Sequence, residues 1–351
     1  MAEIEVREIK NDEYHAWDKL VTDSPQGTVF HLSDWVITCA SLSDTRPLLL
    51  GYFKDDRLEG GCSLYVTTKS RFISLTDSTA PMTPYGGYLL LDSVSTKGRG
   101  MKHQSRSIVS ALSDEISKRD FTCVNIISAP AFQDIRSLTW NNWTSRVYYT
   151  NMLPLAEDIS SHISRKARTT IRKGQKNDIQ VSKCYDPELY WNLTVNTYEK
   201  QNQKPPITKM FLMGMLDMII MNNLGEMWIA KTPTGEAASA EVITWDNHMA
   251  HAWAAASNFA HRRTGATSLL TFEIFLDLQK RGFNCINLMC GNTPHLNQFV
   301  SSFNPELMPY YGVEKNRSWF DIARVFRRRL KPTRVKFDDS VQTLEPEHVT
   351  H

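Results

Sequence analysis

The chain has 351 residues, 41% of them hydrophobic and 22% charged, with 40 Lys and Arg against 38 Asp and Glu. That composition excludes disorder as the default state, and a length beyond one ordinary core predicts two domains. The near-balance of charge excludes a general attraction to nucleic acid or anionic membranes, so any such attraction must come from local patches.

In chain order, "MAEIEVREIKNDEY" is charged from its third residue and has no apolar core, so no secretory leader and a cytoplasmic location are expected. Strands follow as "PLLLGYF", a "KDDR" turn, "LEGGCSLYVTT" and "RFISLTD". "TPYGGY" then reads as a tight loop whose glycines admit a ligand or another backbone. A helix over residues 103–119, with Ile108, Leu112 and Ile116 four apart, leads into the strand of "KRDFTCVNIIS". "SRVYYTNMLPLA" is a strand ending at Pro154.

The second half opens with a helix expected from about Asp158 to Lys176 and the strand "IQVSKC". Two further helices follow, the second carrying "MFLMGMLDMIIM", too short for a membrane span and interrupted by Asp217. Strands "EMWIAK", "AASAEVITW" and "MAHAWAAAS" precede a helix with Leu269, Phe272 and Leu276 in register, then "KRGFNCINLMC". That last stretch matches "KRDFTCVNIIS" at Lys, Arg, Phe, Cys and Asn, 162 residues on (Lys118 to Lys280). Strands, helix, strand, occurring twice, indicate a duplicated α/β unit. The expected division is residues 1–154, 155–323, and a basic helix end with a flexible tail over 324–351. Cys39, Cys62, Cys123, Cys184, Cys285 and Cys290 show neither C-x-x-C pairing nor zinc spacing, so free thiols are expected and no metal site.

Two basic clusters stand out. Residues 324–336 hold seven Lys or Arg. Residues 165–176 hold six with no acid among them, and at 100° per residue Arg165, Arg168, Arg172 and Lys176 share one arc, with Lys166 and Lys173 beside it and Ile163, Ala167 and Ile171 opposite. The face is either solvated or an anion site; the absence of i, i+4 acidic partners points to the latter. Glu241, a carboxylate on an otherwise apolar strand, is a candidate base whose burial would raise its pKa, or else an outward edge residue. His251 is a second, weaker candidate or a core-lining histidine.

"SPQGTVFHLSDW", "TPYGGYLLL", "SRKARTTIRKGQKNDIQV", "TYEKQNQKPPITKMFL", "RRTGATSLLTFEIFLDLQKRGF" and "GNTPHLNQFVSSFNPELMPYYGV" together resemble the FemAB-like branch of the GNAT acyltransferase superfamily, from about residue 20 to about 320. The resemblance implies an α/β (α+β) fold of two tandem GNAT-like domains, each a mixed, mostly antiparallel sheet flanked by helices. It implies transfer of an acyl or aminoacyl group to an amine, from acyl-CoA or aminoacyl-tRNA as donor substrate, with no tightly bound cofactor. Partners would be an anionic small molecule or nucleotide-linked substrate, and tRNA in the second case. It places Arg262, Gly265 and Thr267 in the R-x-x-G-x-G/A loop that faces a pyrophosphate, with Thr at the last small position; a plain helix start capped by Thr264 reads the same residues. It makes Tyr310 or Tyr311 the acid for the leaving group, and Asp77 and Tyr85 substrate contacts. Two lysines common in the cross-bridge transferases are missing: Val300 follows Phe299, and "WVITC" after Trp35 offers none. Their loss favours an ordinary acyl donor, with a tRNA-dependent transferase as one alternative and a non-catalytic binder of nucleic acid or anionic surfaces as another.

Overall fold

A computed structural model describes residues 3–91, 99–155, 158–199 and 203–320. The basic cluster and tail at 324–351 lie outside the described residues. By contacts the chain forms two units, one of Met1–Tyr148 completed by the segment starting at Pro309, the other comprising Tyr149–Met308.

The first unit contains β1 (Ile4–Glu8), α1 (Tyr14–Asp23), α2 (Ser33–Leu42), β2 (Arg46–Lys54), β3 (Arg57–Ser70), β4 (Ile73–Asp77), β5 (Gly87–Leu90), α3 (Arg99–Lys118), β6 (Cys123–Ile127) and α4 (Arg136–Trp140). The "KDDR" turn closes the β2–β3 hairpin with Asp55 and Asp56 both at positive φ, the backbone a tight hairpin requires and short polar side chains tolerate. The strands run β1-β2-β3-β4-β6, with β5 paired to β3, and only β4 and β6 are parallel. Leu50, Leu64, Ile108, Leu112, Ile116 and Ile126 are wholly buried between this sheet and α3, as the four-residue spacing requires.

The second unit contains β7 (Thr144–Pro154, from Tyr149), α5 (Ile159–His162), α6 (Arg165–Lys176), β8 (Gln180–Lys183), α7 (Pro187–Glu199), α8 (Lys209–Met221), β9 (Gly225–Lys231), β10 (Ala237–Trp245), β11 (Ala250–Ser257), α9 (Ala266–Lys280), β12 (Cys285–Met289) and α10 (Pro294–Val300). Its strands run β7-β12-β11-β10-β9-β8, and only β11 and β12 are parallel. The duplication holds to the residue: α3 ends at Lys118 and α9 at Lys280, and β6 begins at Cys123 and β12 at Cys285.

Two expectations change. The helix foreseen over 158–176 is broken: Ile163 is extended, and the Ser164 hydroxyl accepts from the Ala167 N–H at 3.1 Å to start a new helix. The last strand, β13 (Glu306–Asn316), falls within the expected second half, 155–323, but Gly312–Asn316 pair antiparallel with β6 of the first unit. Conversely β7, from the end of the first half, pairs with β12. Each sheet is thus completed by a strand encoded in the other half. All six cysteines are free.

Candidate functional site

In the second unit the basic helix and the glycine loop are brought together. Gly265 begins α9 with φ +87, a conformation L side chains resist. A Cβ there would lie 2.4 Å from the Thr170 carbonyl oxygen and 2.6 Å from the Gly174 nitrogen, and a Cβ on Gly174 would lie 2.8 Å from the Gly265 oxygen. The two glycines therefore let the backbones of α6 and α9 touch. Asn177 adds a bond from its Nδ2 to the Thr264 carbonyl at 2.8 Å. Ala167 and Ile171 are buried, as expected. Gly174 was the overlooked signal: a glycine inside an otherwise strong helix costs about 1 kcal/mol and asks for a packing reason.

Thr264 is not the cap. Its hydroxyl donates to His261 O at 2.7 Å and accepts from the Ala266 N–H at 3.2 Å, while Gly265 occupies the N-cap position. The N–H groups of Thr267 and Ser268 have no partner among the described residues. They stand in the first turn of a 15-residue helix, where the backbone dipole favours an anion. Arg262 is exposed, its guanidinium 3.5 Å from the centroid of the Phe259 ring.

Of the cationic arc on α6, Arg165, Arg172 and Lys176 are exposed. Among the described residues neither they nor Lys166 and Lys173 make an ion pair. Arg168 differs: its Nη1 donates to the carbonyls of Ser160, Ser161 and Ile163, at 3.2, 3.2 and 2.6 Å, closing the end of α5.

Beside this helix pair the sheet opens. β11 pairs with β12 only at Ala250 and His251; beyond them β11 remains paired with β10 as far as Ser257, and its other edge parts from β12. The β10–β11 ladder shifts register between Val242 and Ile243. Glu241, next to that shift, is 5% exposed, not an edge residue. Burial pushes its carboxyl up to about 7, opposed by the bond it accepts from the Thr271 hydroxyl. Thr271 lies five residues into α9, roughly 8 Å along the axis from the helix start. Glu241 therefore sits at the same end of the unit as the Gly265 loop, with a pKa that lets it take a proton near neutrality. His251 is wholly buried, its Nε2 2.7 Å from Asp246 Oδ2, the core-lining role.

The other expected site residues are in the first unit. Tyr85 is 1% exposed, edge-on to Phe30 and to Tyr310. Tyr310 is also buried, stacked on Tyr148 with ring centroids 5.4 Å apart. Both are core rings. Tyr311 is half-buried and its carbonyl accepts from Ser128. Asp77 is half-buried in register with Asn125, whose Nδ2 donates to it at 3.2 Å, and Asn125 in turn is in register with Glu314. Burial raises the Asp77 pKa; the Asn125 bond opposes this and the Glu314 charge adds to it. The glycines of "TPYGGY" admit the protein's own chain: a Cβ on Gly86 would lie 2.4 Å from the Ser78 oxygen, and one on Gly87, at φ +80, 2.8 Å from the Ile126 side chain.

Residues 162–296, spanning α6, the Gly265 loop, Glu241 and the parted strands, match a family model described as an acetyltransferase (GNAT) domain. The chain carries a GNAT acyltransferase domain. Solved structures extend the likeness to the whole fold. FemX matches with TM-score 0.69 at 11% identity over 91% of this chain and 99% of that one. A tandem GNAT protein from the clavulanic acid biosynthesis pathway matches with 0.54 at 11% over 89% and 98%. L-PGS from Bacillus licheniformis matches with 0.53 at 10% over 93% and 99%. The fold is thus the tandem GNAT fold, and the GNAT domain model falls on its second half. No curated protein matches the sequence. No helix among the described residues is long and apolar enough to cross a membrane.

Proposed function

We propose that the chain is an N-acyltransferase that takes its acyl group from a phosphate-bearing thioester of the acyl-CoA type and passes it to an amine. The observation that carries this reading is the start of α9. A left-handed glycine, two unpartnered N–H groups and a helix dipole converge next to an open strand edge, inside the segment that matches the GNAT model. The donor's pyrophosphate would lie on the Thr267 and Ser268 N–H groups, with Arg262 beside it. Its extended arm would run along the stretch of β11 that β12 leaves after His251, towards Ser257, whose carbonyl accepts from the Thr197 hydroxyl at 3.1 Å, bonding the backbone as an added strand does.

The amine attacks the thioester carbonyl, the tetrahedral oxyanion collapses, and the thiolate leaves. Glu241 is proposed as the base that takes the ammonium proton, directly or through water, since its carboxyl titrates near 7. A thiol of ordinary pKa, about 8.5, can leave as the thiolate and take its proton from solvent, so this mechanism gives Tyr310 and Tyr311 no role. The acceptor is an amine of unassigned skeleton; Asp77 in the first unit is retained as a proposed contact for it.

A second reading, an aminoacyl ester on tRNA as donor, is favoured by one observation: the unpaired cations Arg165, Arg172 and Lys176 along the outer face of α6. Thermal-shift and native mass spectrometry against acetyl-CoA, longer acyl-CoAs and aminoacyl-tRNA separate the two. Stabilisation by a CoA thioester, with acyl transfer to an added amine, is the expected result. Stabilisation by tRNA alone supports the second reading, and tRNA binding without turnover supports a binding module. No response to any donor overturns the enzyme reading.

A further inference from the structure

The six cations of α6 fall into two strips with different surroundings. Lys166, Thr170, Lys173 and Asn177 are spaced i, i+4, i+7, i+11 and so lie one above another along about 16 Å of helix. Two members of this strip touch the α9 loop: the Thr170 carbonyl would meet a Cβ on Gly265 at 2.4 Å, and Asn177 bonds Thr264 O at 2.8 Å. The strip with Lys166 and Lys173 thus borders the loop. Arg165 and Arg172 lie more than about 100° around the helix from its centre and Lys176 about 90°, and Arg168 is tied to α5. The cations beside the loop are therefore not those of the arc that dominates the sequence.

On this basis, and resting on the acyl-CoA reading above, we infer that Lys166 and Lys173 are specificity-determining residues that bind a phosphate monoester of the donor beyond its pyrophosphate. A lysine ammonium is a compact point charge on a flexible stem, suited to a terminal dianionic phosphate. Neither lysine is held by an acid among the described residues, so both can turn to the ligand without breaking an existing pair. The 3′-phosphate of CoA is such a group. It adds two negative charges to the donor and takes no part in acyl transfer, so these lysines should govern donor affinity and leave the chemical step alone.

The test is titration calorimetry with CoA and with 3′-dephospho-CoA on the wild-type chain, on K166A/K173A and on R165A/R172A. Charge-assisted bonds of this kind predict wild-type binding on the order of 10-fold tighter for CoA than for the dephospho form. In K166A/K173A that ratio should fall close to one, with dephospho-CoA affinity unchanged; in R165A/R172A it should persist. These side chains are exposed, so matching melting temperatures will certify that the variants fold. Equal wild-type affinity for the two ligands overturns the inference and leaves the donor reading standing. A ratio that collapses only in R165A/R172A also overturns it, because the wrong strip would be responsible. Failure of the wild type to bind either ligand overturns the donor reading, and this inference with it.

Discussion

The two units share a core order of three antiparallel strands, a helix and a strand parallel to the third, yet they differ at the point where their parallel strands would part. In the second unit β11 and β12 separate after His251 and Asn287. In the first unit β4 and β6 pair to Asp77 and Asn125, and the continuation is stitched shut. The Ser78 hydroxyl accepts from the Ile127 N–H at 2.7 Å and donates to the Ile127 carbonyl at 2.9 Å, and the Gly86 N–H reaches the same carbonyl at 3.1 Å. One serine and a glycine loop thus do within the protein what an extended ligand could do at the other opening. A duplicated fold can keep its architecture in both halves while local side chains decide which half has an open edge.

The contrast can be broken most severely at Gly265. G265A forces a side chain onto φ +87 and into the α6 backbone, and should cost roughly 2–5 kcal/mol in chemical denaturation and abolish donor binding. E241Q should act next most strongly and in opposite directions on activity and stability. The folded pKa of Glu241, about 7, lies above its ordinary value of 4.5. Below 4.5 the group is protonated in both states and costs nothing. Between 4.5 and about 7 the unfolded chain ionises first and stability falls, and above 7 the full penalty of about 3 kcal/mol remains. E241Q should therefore stabilise the protein at pH 8 but hardly at pH 4, and lower kcat by about 10²-fold or more.

S78A should destabilise by about 1–3 kcal/mol, because it leaves the Ile127 N–H unpaired while the Ile127 carbonyl keeps only its Gly86 bond, without changing donor affinity. The reverse result, new ligand binding in a stable S78A, would show that the first opening was only plugged. The smallest effects should separate neighbours on α6. R168A should cost about 1 kcal/mol, since three carbonyls lose a charged donor, and R165A should stay within about 0.5 kcal/mol.

Much of this contrast was legible in the sequence. The 162-residue repeat located both helix–strand joints because period and identity are local properties, and the alternation of Ile163, Ala167 and Ile171 assigned the buried side of the basic segment. The exchange of β7 and β13 was not legible, since an alternating strand shows which face is apolar but not which sheet it joins. The apolar neighbours of Glu241 left burial and an outward edge position both open; its partner Thr271 was not legible, because a helical Thr has no signature separating a carboxylate partner from its own backbone. Tyr85 and Tyr310 looked like site residues because a glycine loop and a Tyr pair resemble a family pattern, whereas the edge-on contact of Tyr85 with Phe30 and the stacking of Tyr310 on Tyr148 depend on long-range contacts. Of the charge arc on α6, Arg165, Arg172 and Lys176 are exposed while Arg168 turns to the α5 carbonyls, and which edge of the helix meets α9 depends on the Gly174–Gly265 contact, where neither glycine reveals its partner.

The central claim, that the donor binds the second opening and not the first, is tested most directly by hydrogen exchange with and without saturating acetyl-CoA. The account predicts protection at Thr267 and Ser268 and along β11 from Ala252 to Ser257, with β4, β6 and the Ser78–Gly87 loop unchanged. Protection confined to β4, β6 and that loop, or no protection in α9 and β11, would contradict it.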